Sequence, residues 1–219
     1  MNDLDQLLAA IRFGDSAFPS GGFAFSSGLE GSHRDGLVQD EHDVAAFLAE
    51  QLEGNWHRRD RVLLRRAWAA PDPSAVDLFA DAVTTMSVLR EASRRAGAAT
   101  LATFAAVIDP GLADYRRLVL AGTAPGHLAV VQAICLRAAG LSLETAEAVA
   151  GWQVISGIAS AAVRLDICGH LGAQRVVAAA SPLLVELLRR RPPEEPAGFT
   201  AYADIAAQRH REGVRLFAS

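Results

Sequence analysis

The sequence predicts an all-α protein, and three observations support this fold class. Apolar residues make up 51% of the 219 residues, enough for a substantial core. They recur at helical spacing, as Val44, Phe47, Leu48 and Leu52 do at i, i+3, i+4 and i+8. Alternating β-branched runs joined by hairpin turns, which are typical of strands, are not evident. We therefore expect a single-domain bundle of about ten helices.

The first half of the chain begins with an amphipathic helix that we expect to end near Arg12. Turn-forming residues follow it. A second helix is expected at residues 43–52. A third segment opens at Pro73 and Ser74 and places four apolar side chains on one stripe. These are Val76, Phe79, Val83 and Met86.

The second half contains two longer helical patterns. Ser142 is a typical N-cap for a helix that runs to residue 163, and Glu147 lies in its early turns, where a carboxylate suits the helix dipole. Residues 174–190 repeat the helical pattern, and Pro182 inside them predicts a kink. Short breaks rich in Gly and Pro separate the helices, as is usual within one domain.

One stretch has the composition of a linker. Residues 191–198 read Arg-Pro-Pro-Glu-Glu-Pro-Ala-Gly. We expect a helical body at residues 1–190 and a semi-detached linker and tail at 191–219, with a short helix at 201–208. The tail contains apolar and arginine residues, so it either folds on a partner or packs back onto its own body.

Charge and composition exclude several classes of protein. The chain has 21 basic and 25 acidic residues, so we expect no nucleic-acid partner, because such a partner favours a basic surplus. Every basic residue is Arg, which excludes a lysine Schiff base and a P-loop lysine. The longest apolar run, Leu128 to Leu136, is shorter than the roughly twenty residues that span a bilayer. The acidic N-terminus does not read as a secretory signal, so we expect a cytoplasmic protein without a membrane partner.

Motifs for catalysis or metal binding are not evident. The 6 histidines are scattered, without the close pairing that a structural metal site needs. His127 and His210 are the best candidates for contact with nickel, but we expect no tightly bound metal or cofactor. Cys135 and Cys168 lie in apolar sequence and are predicted to be buried thiols. A hydrolase or lyase and a helical DNA-binding regulator are the alternative functions.

The most informative segment lies near the N-terminus, at residues 13–30. Phe18, Phe23 and Phe25 bring three aromatic rings into one short loop between turn-forming residues. These rings either plug the core beneath the loop or form an aromatic anchor for a partner. Both interpretations can hold for different rings.

Residues 16–30 resemble the start of the urease accessory protein UreF family, which reads S-P-x-L-P-x-G-x-F-S-Y-S-x-G-L-E. Further blocks in the same order are similar to the family's L-R-x-x-x-R-x-x-G, H-x-P-V-x-x-G, S-A-A-V-R-L and H-E-x-x-x-S-R-L-F-x-S segments. They lie at residues 89–97, 126–131, 160–165 and 210–219. Phe25 stands where the family has Tyr, and Ala218 stands where it often has Arg. The resemblance covers the chain from end to end.

The resemblance implies a non-enzymatic, all-helical maturation factor that forms a homodimer. It implies binding to UreD (also called UreH), which docks on apo-urease, and recruitment of the GTPase UreG. GTP hydrolysis by UreG is then coupled to nickel insertion into urease, UreF modulates the GTPase, and the complex handles the nickel. The residues that we expect to contact partners are Phe23, Phe25, Glu30, Arg164, His210, Arg215, Leu216, Phe217 and Ser219.

Arginines within these blocks have two possible roles. Arg164 lies in an otherwise apolar helix, so it either pairs with a carboxylate or carbonyl inside the bundle or serves an interface. Arg90, Arg94 and Arg95 either form a basic surface for a partner or belong to a solvated face.

Overall fold

The computed structural model describes residues 2–20 and 26–209, and every regular element in these ranges is helical. The α-helices are α1 (Asp3–Gly14), α2 (Leu29–Arg34), α3 (Glu41–Glu50), α4 (Arg61–Ala69), α5 (Ser74–Val83), α6 (Ser87–Val107), α7 (Ala113–Leu120), α8 (Leu128–Ala138), α9 (Leu143–Arg164), α10 (His170–Arg189) and α11 (Ala201–Arg209). A π-helical segment (Gln51–Asp60) joins α3 to α4, and a 3₁₀ turn (Pro110–Leu112) precedes α7. Because α3, the π-helical segment and α4 form one continuous helix, the described ranges contain ten separate helices. This confirms the predicted fold class.

Local capping explains where several helices begin. The Asn2 side chain accepts the backbone N–H of Asp5, whose carboxylate accepts the N–H of Asn2 in return. Asp40 caps α3. Ser142 Oγ accepts the backbone N–H of Thr145, which confirms the predicted start of α9.

The helix predicted at residues 43–52 is much longer in the structure. It runs without a break from Glu41 through the π-helical segment to Ala69. Gln51, Asn55 and His57 are polar but buried, so the apolar period fades although the helix continues. The buried face also contains apolar side chains such as Leu52 and Trp56, and this mixture of polar and apolar residues obscures the period from which the helix was predicted.

The core surrounds α8, in which every residue from 129 to 136 is buried. Helix α8 lies between α4 and α6 and also contacts α9, which packs along α10. Cys135 is fully buried, and burial raises the pKa of its thiol, as predicted for an inert buried cysteine. Cys168 is only partly buried, so the same prediction holds less well there.

Helix α5 follows the predicted stripe only in part, because Val76 and Val83 pack against the core whereas Phe79 does not. Phe79 is exposed, and its ring lies under the guanidinium of Arg66. The most deeply buried residues here are Asp77 and Ala80 on the helix and Thr84 at its C-terminal end. The helix also ends at Val83, so Met86 belongs to the connection before α6. Buried polar residues can share an inner face with apolar ones when their hydrogen bonds are satisfied, as those of Asp77 and Thr84 are.

Helices α9 and α10 are both long and apolar enough to cross a membrane by length and composition. Polar residues interrupt both helices, so neither contains a long uninterrupted apolar run. The apolar window of α9 is 56% buried inside the protein and that of α10 is 33% buried. Core helices of soluble proteins pass the same test, so this finding is weak support for a membrane span. Helix α10 continues past Pro182, where Ser181 Oγ donates to the carbonyl of Val177.

Candidate partner-binding site

A cleft of about 290 Å³ lies between α1, the π-helical segment, α6, α8 and α9. Ser20 and Ser27, which flank residues 21–25, are part of its wall. His127 and Arg164 also line it. Residues of four of the five family-like blocks, at 16–30, 89–97, 126–131 and 160–165, therefore line one cleft although they are far apart in the chain, and the fifth block lies outside the described residues.

Phe18 fixes the first side of this cleft. Its ring centroid lies 5.2 Å from that of Phe13 and 5.2 Å from that of Phe104, with an edge-on contact to each. Thr100 and Thr103 on α6 donate hydrogen bonds to the carbonyls of Ser20 and Pro19. Phe18 is therefore a plug of the core, as one of the two interpretations predicted. Phe23 and Phe25 lie outside the described residues.

Glu30 lies on α2 and is only 5% exposed. Its carboxylate accepts a hydrogen bond of 2.9 Å from Arg34, and its backbone N–H points at the hydroxyl of Ser26. These contacts hold the chain just after residues 21–25. Glu30 therefore stabilises the start of α2 from inside the protein and does not itself line the cleft.

Arg164 ends α9 at the wall of the cleft. Its Nε donates to the carbonyl of Ser160 at 3.4 Å, and burial lowers the pKa of its guanidinium. This contact is one of the carbonyl pairings expected for an arginine in an apolar helix. Its position in the cleft wall is also compatible with the interface role, so both interpretations remain.

The turn that carries His127 is held by a carboxylate that sequence reasoning missed. Asp77 is fully buried, and its oxygens accept the hydroxyl of Tyr115 at 2.7 Å and the backbone N–H groups of Gly126 and His127 at 2.6 and 2.8 Å. Three donors satisfy a buried carboxylate that would otherwise be costly. The available signal was a pair of Asp residues four positions apart, Asp77 and Asp81, inside an otherwise apolar helical stretch.

The imidazole of His127 is occupied on both sides. Nε2 lies 2.9 Å from Oδ1 of Asp81, and Nδ1 lies 3.1 Å from the hydroxyl of Ser93. Arg94 reaches the same Asp81 oxygen at 2.5 Å. Burial would raise the pKa of Asp81, but hydrogen bonds from His127 and Arg94 keep it below its usual value.

This cluster reads as a structural clamp. Ser93 Oγ also accepts the backbone N–H of Leu128 at the start of α8, and His127 is 2% exposed. The serine therefore caps a helix, and the ring joins α5 to α6. Arg94, one of the arginines considered for a basic surface, is part of this clamp.

Metal ligands do not cluster in the described part of the chain. Residues 2–20 and 26–209 contain no group of three or more His, Cys, Asp or Glu side chains arranged to hold an ion. His127, a candidate for nickel contact, has both ring nitrogens in hydrogen bonds. His210, the other candidate, lies outside the described residues.

The described part of the tail contacts the body. Thr200 Oγ1 accepts hydrogen bonds from Gln51 and Asn55 of the π-helical segment at 3.0 and 2.8 Å, and donates to Asp204 at 2.9 Å. Ala203 joins the core cluster beside α2. The segment expected to be semi-detached is therefore anchored at residues 197–209. Arg215, Leu216, Phe217 and Ser219 lie outside the described residues, and their partner contacts remain predictions.

Comparisons with known proteins agree with the resemblance seen in the sequence. Residues 38–181 match the family model described as UreF. A urease accessory protein UreF from an Arthrobacter species is 31% identical over 97% of this chain and 96% of its own length. The protein of that name from Cereibacter sphaeroides is 31% identical over 96% and 97%, and UreF 1 from Brucella melitensis is 29% identical over 98% and 93%. A match of this extent means that the chain belongs to the UreF family of urease accessory proteins.

Proposed function

We propose that this chain is a non-enzymatic scaffold for urease maturation. It bridges UreD-bound apo-urease and the GTPase UreG, acts as a homodimer in the cytoplasm, and modulates UreG while nickel is inserted. The single observation that carries the proposal is the match to urease accessory proteins over 96% or more of the chain. The nickel is cargo of the complex, and this chain holds no tightly bound metal or cofactor of its own.

The chemistry of the described residues supports a scaffold. Asp77, Asp81 and His127 are directed to backbone and side-chain partners inside the protein. The most strongly buried ion pair, Arg61 with Glu147, likewise joins helices rather than lining the cleft. Catalysis normally needs such groups poised toward a substrate in a pocket, so this arrangement favours a framework that positions partners.

The partner contacts belong in this proposal at two places. One is the wall of the cleft, where Arg164 lies, together with the neighbouring start of α2, which Glu30 stabilises. Phe23 and Phe25 belong to the same part of the chain. The other is the end of the tail, with His210, Arg215, Leu216, Phe217 and Ser219.

Urease activation tests the proposal directly. A host that carries the other urease genes but no gene of this family would express the full chain or a variant ending at Arg209, with nickel supplied. Activity with the full chain supports maturation, and its loss in the shortened variant supports the tail contacts. Equal activation by both variants would discard the tail interface only. No activation by the full chain, with every partner expressed, would overturn the proposed function.

The site of truncation matters for this experiment. Ending the chain at Arg191 removes Thr200 and Ala203, which are packed into the body, so loss of activity would then report unfolding. Ending it at Arg209 leaves these contacts in place. Pull-down of UreD and UreG with each variant, and the GTPase rate of UreG in the complex, separate bridging from modulation.

A further inference from the structure

Helix α1 exposes an apolar face on the side opposite its packing face. Its inner side is anchored by buried Phe13 and by Gln6, which donates to the carbonyl of Gly140 and accepts the N–H of Ser142. The outer side carries four side chains that are 57–63% exposed and follow i, i+3, i+4, i+7 spacing. These are Leu4, Leu7, Leu8 and Ile11, called here the α1 stripe. A contiguous apolar patch of this kind commonly marks an interaction surface.

We propose that the α1 stripe pairs with the α1 stripe of a second copy of this chain, antiparallel and about a two-fold axis. This inference rests on the homodimer in the proposed function and assigns a surface to it. A two-fold interface requires a patch that is complementary to itself. The spacing of the stripe meets that requirement.

The order of the apolar residues is symmetric about a point between Leu7 and Leu8. An antiparallel pair centred there places Leu7 opposite Leu8 of the second copy and Leu4 opposite Ile11 of the second copy. Every apolar side chain of the stripe then meets another one. Leu4 and Ile11, at the two ends of the stripe, are therefore also covered and do not face water.

The charges beside the stripe favour the same arrangement. Asp5 and Arg12 are exposed and lie on one flank of the stripe, about 20° apart at 100° per residue. In an antiparallel two-fold pair the flank that carries Asp5 and Arg12 in one copy faces the same flank of the other copy. At 1.5 Å of rise per residue, the axial positions of Arg12 in one copy and Asp5 in the other then differ by only about 3 Å. In a parallel two-fold pair unlike flanks face each other, so Asp5 and Arg12 of one copy would lie on the opposite side of the interface from those of the other, and this attraction would be lost.

The composition of α1 argues against a membrane as the occupant. Helices that lie on membranes are rich in Lys and Arg on their polar face. The first turn of α1 carries Asp3 and Asp5 instead. The stripe is also short, because twelve residues of helix span only about 18 Å. We therefore expect a dimer whose population depends on concentration, smaller in interface than the roughly 800 Å² per partner of stable complexes.

Sedimentation of the full chain over a range of concentrations tests the pairing. Leu7→Asp changes the interface in both copies and is expected to weaken dimerisation on the order of 100-fold. Leu120→Asp is the matched control, because Leu120 is 70% exposed on α7 and should leave the dimer unchanged. Circular dichroism and thermal unfolding of each variant verify that α1 still folds.

Charge reversal provides a second, independent readout. Arg12→Asp and Asp5→Arg should each weaken the dimer by about 3-fold to 10-fold, and the double variant should recover most of the loss. An unchanged dimer in Leu7→Asp, or a double variant weaker than both single variants, would overturn the proposal. Loss of UreD binding in Leu7→Asp with an unchanged dimer would assign the stripe to a different protein. Because oligomeric state is measured without urease, failure of the α1 pairing is distinguishable from failure to activate urease.

Discussion

Gly97 on α6 faces the carbonyl oxygen of Gly126 so closely that a Cβ on Gly97 would lie 2.0 Å from it. This contact brings α6 against the turn that carries His127, where Ser93 and Asp81 hold the imidazole. Gly126 itself has a φ of +76°, which favours glycine. The blocks around Gly97 and His127, although separated in sequence by a whole helix, therefore pack directly against each other in the structure.

Gly97→Ala is expected to destabilise the protein by about 3 kcal/mol. The added methyl group meets backbone rather than a flexible side chain, so α6 must move away from the turn. Urea unfolding followed by circular dichroism measures the change. Gly157→Ala on α9 is the control, because its Cβ meets nothing within 4 Å, and it should be neutral or stabilise by about 0.5 kcal/mol. Equal effects of the two substitutions would contradict the close contact.

Asp77→Asn should lower stability by about 1–3 kcal/mol, because an amide NH₂ group would face donors that now share a carboxylate. Tyr115→Phe removes one of the three donors to Asp77 and should cost less. Asp114→Asn, at an exposed position on α7, should have almost no effect. The free energies of unfolding of the three variants give the test, and a larger effect at Tyr115 than at Asp77 would argue against this network.

Arg61→Met should be among the most destabilising single changes, at about 3–5 kcal/mol. The guanidinium of Arg61 pairs with Glu147 through two bonds of 3.0 and 3.1 Å, and it donates to the carbonyls of Leu187 and Leu188 at the end of α10. The substitution leaves a buried carboxylate with only the half-exposed Arg65 as its ion-pair partner. Thermal and urea unfolding should show the loss.

Arg117→Met provides the control for this prediction. Arg117 pairs with Asp114 on the surface, where a single ion pair contributes little. The double variant Arg61→Met, Glu147→Leu should recover part of the stability, because no buried charge is then left alone. A double variant less stable than Arg61→Met would mean that Glu147 stabilises the protein even without Arg61, through its ion pair with Arg65, and would contradict the cost expected for an unpaired buried carboxylate.

The stability of the protein should fall between pH 6.5 and pH 4 because of His57. Burial and the nearby Arg61, Arg190 and Arg58 lower the pKa of this histidine from 6.5 to about 4, so the folded state favours the neutral ring. The unfolded chain binds a proton at higher pH, and the stabilisation present above pH 6.5 is lost as the pH falls toward 4.

Urea unfolding at several pH values measures this dependence. The contribution of His57 to the slope is at most about 1.4 kcal/mol per pH unit, the value for one titrating group. His57→Gln keeps a side-chain acceptor for Arg61 and should remove this part of the slope. An identical pH profile in the variant would show that other groups cause the loss.

Thr200→Val should loosen the tail from the π-helical segment. The hydroxyl of Thr200 is shared by Gln51, Asn55 and Asp204, and its loss removes the acceptor of the buried Gln51 NH₂ group, at a cost of about 1–3 kcal/mol, while Asn55 keeps its hydrogen bond to Gln51. Limited proteolysis should cut the variant earlier near residues 191–198 than the unchanged protein. Thr103→Val, which alters an exposed hydroxyl that bonds Pro19, is a control that should keep the tail protected.

Sequence reasoning anticipated the fold well and the site only in part. The positions of several helices were predictable from Ser142, the proline-rich breaks and the apolar period, because capping, backbone geometry and burial act locally. The π-helical segment and the Asp77 network of α5 were missed because polar residues such as Asn55 and Asp77 are buried there beside apolar ones. Their burial depends on donors supplied by distant parts of the chain, and no local pattern encodes those donors.

The sequence by itself determined the helical class, the absence of lysine chemistry and the resemblance to the UreF family, since composition and ordered motifs are readable along the chain. Only the tertiary structure decided that Asp77 and Asp81 hold the His127 turn, that Thr200 anchors the tail, and that the α1 stripe faces outward. Those outcomes depend on which surfaces meet, and helix packing brings together residues that are more than a hundred positions apart, such as Gln51 and Thr200. Apolar periodicity shows that a helix has an apolar face, but only the packing of the helices shows whether that face is buried in the protein.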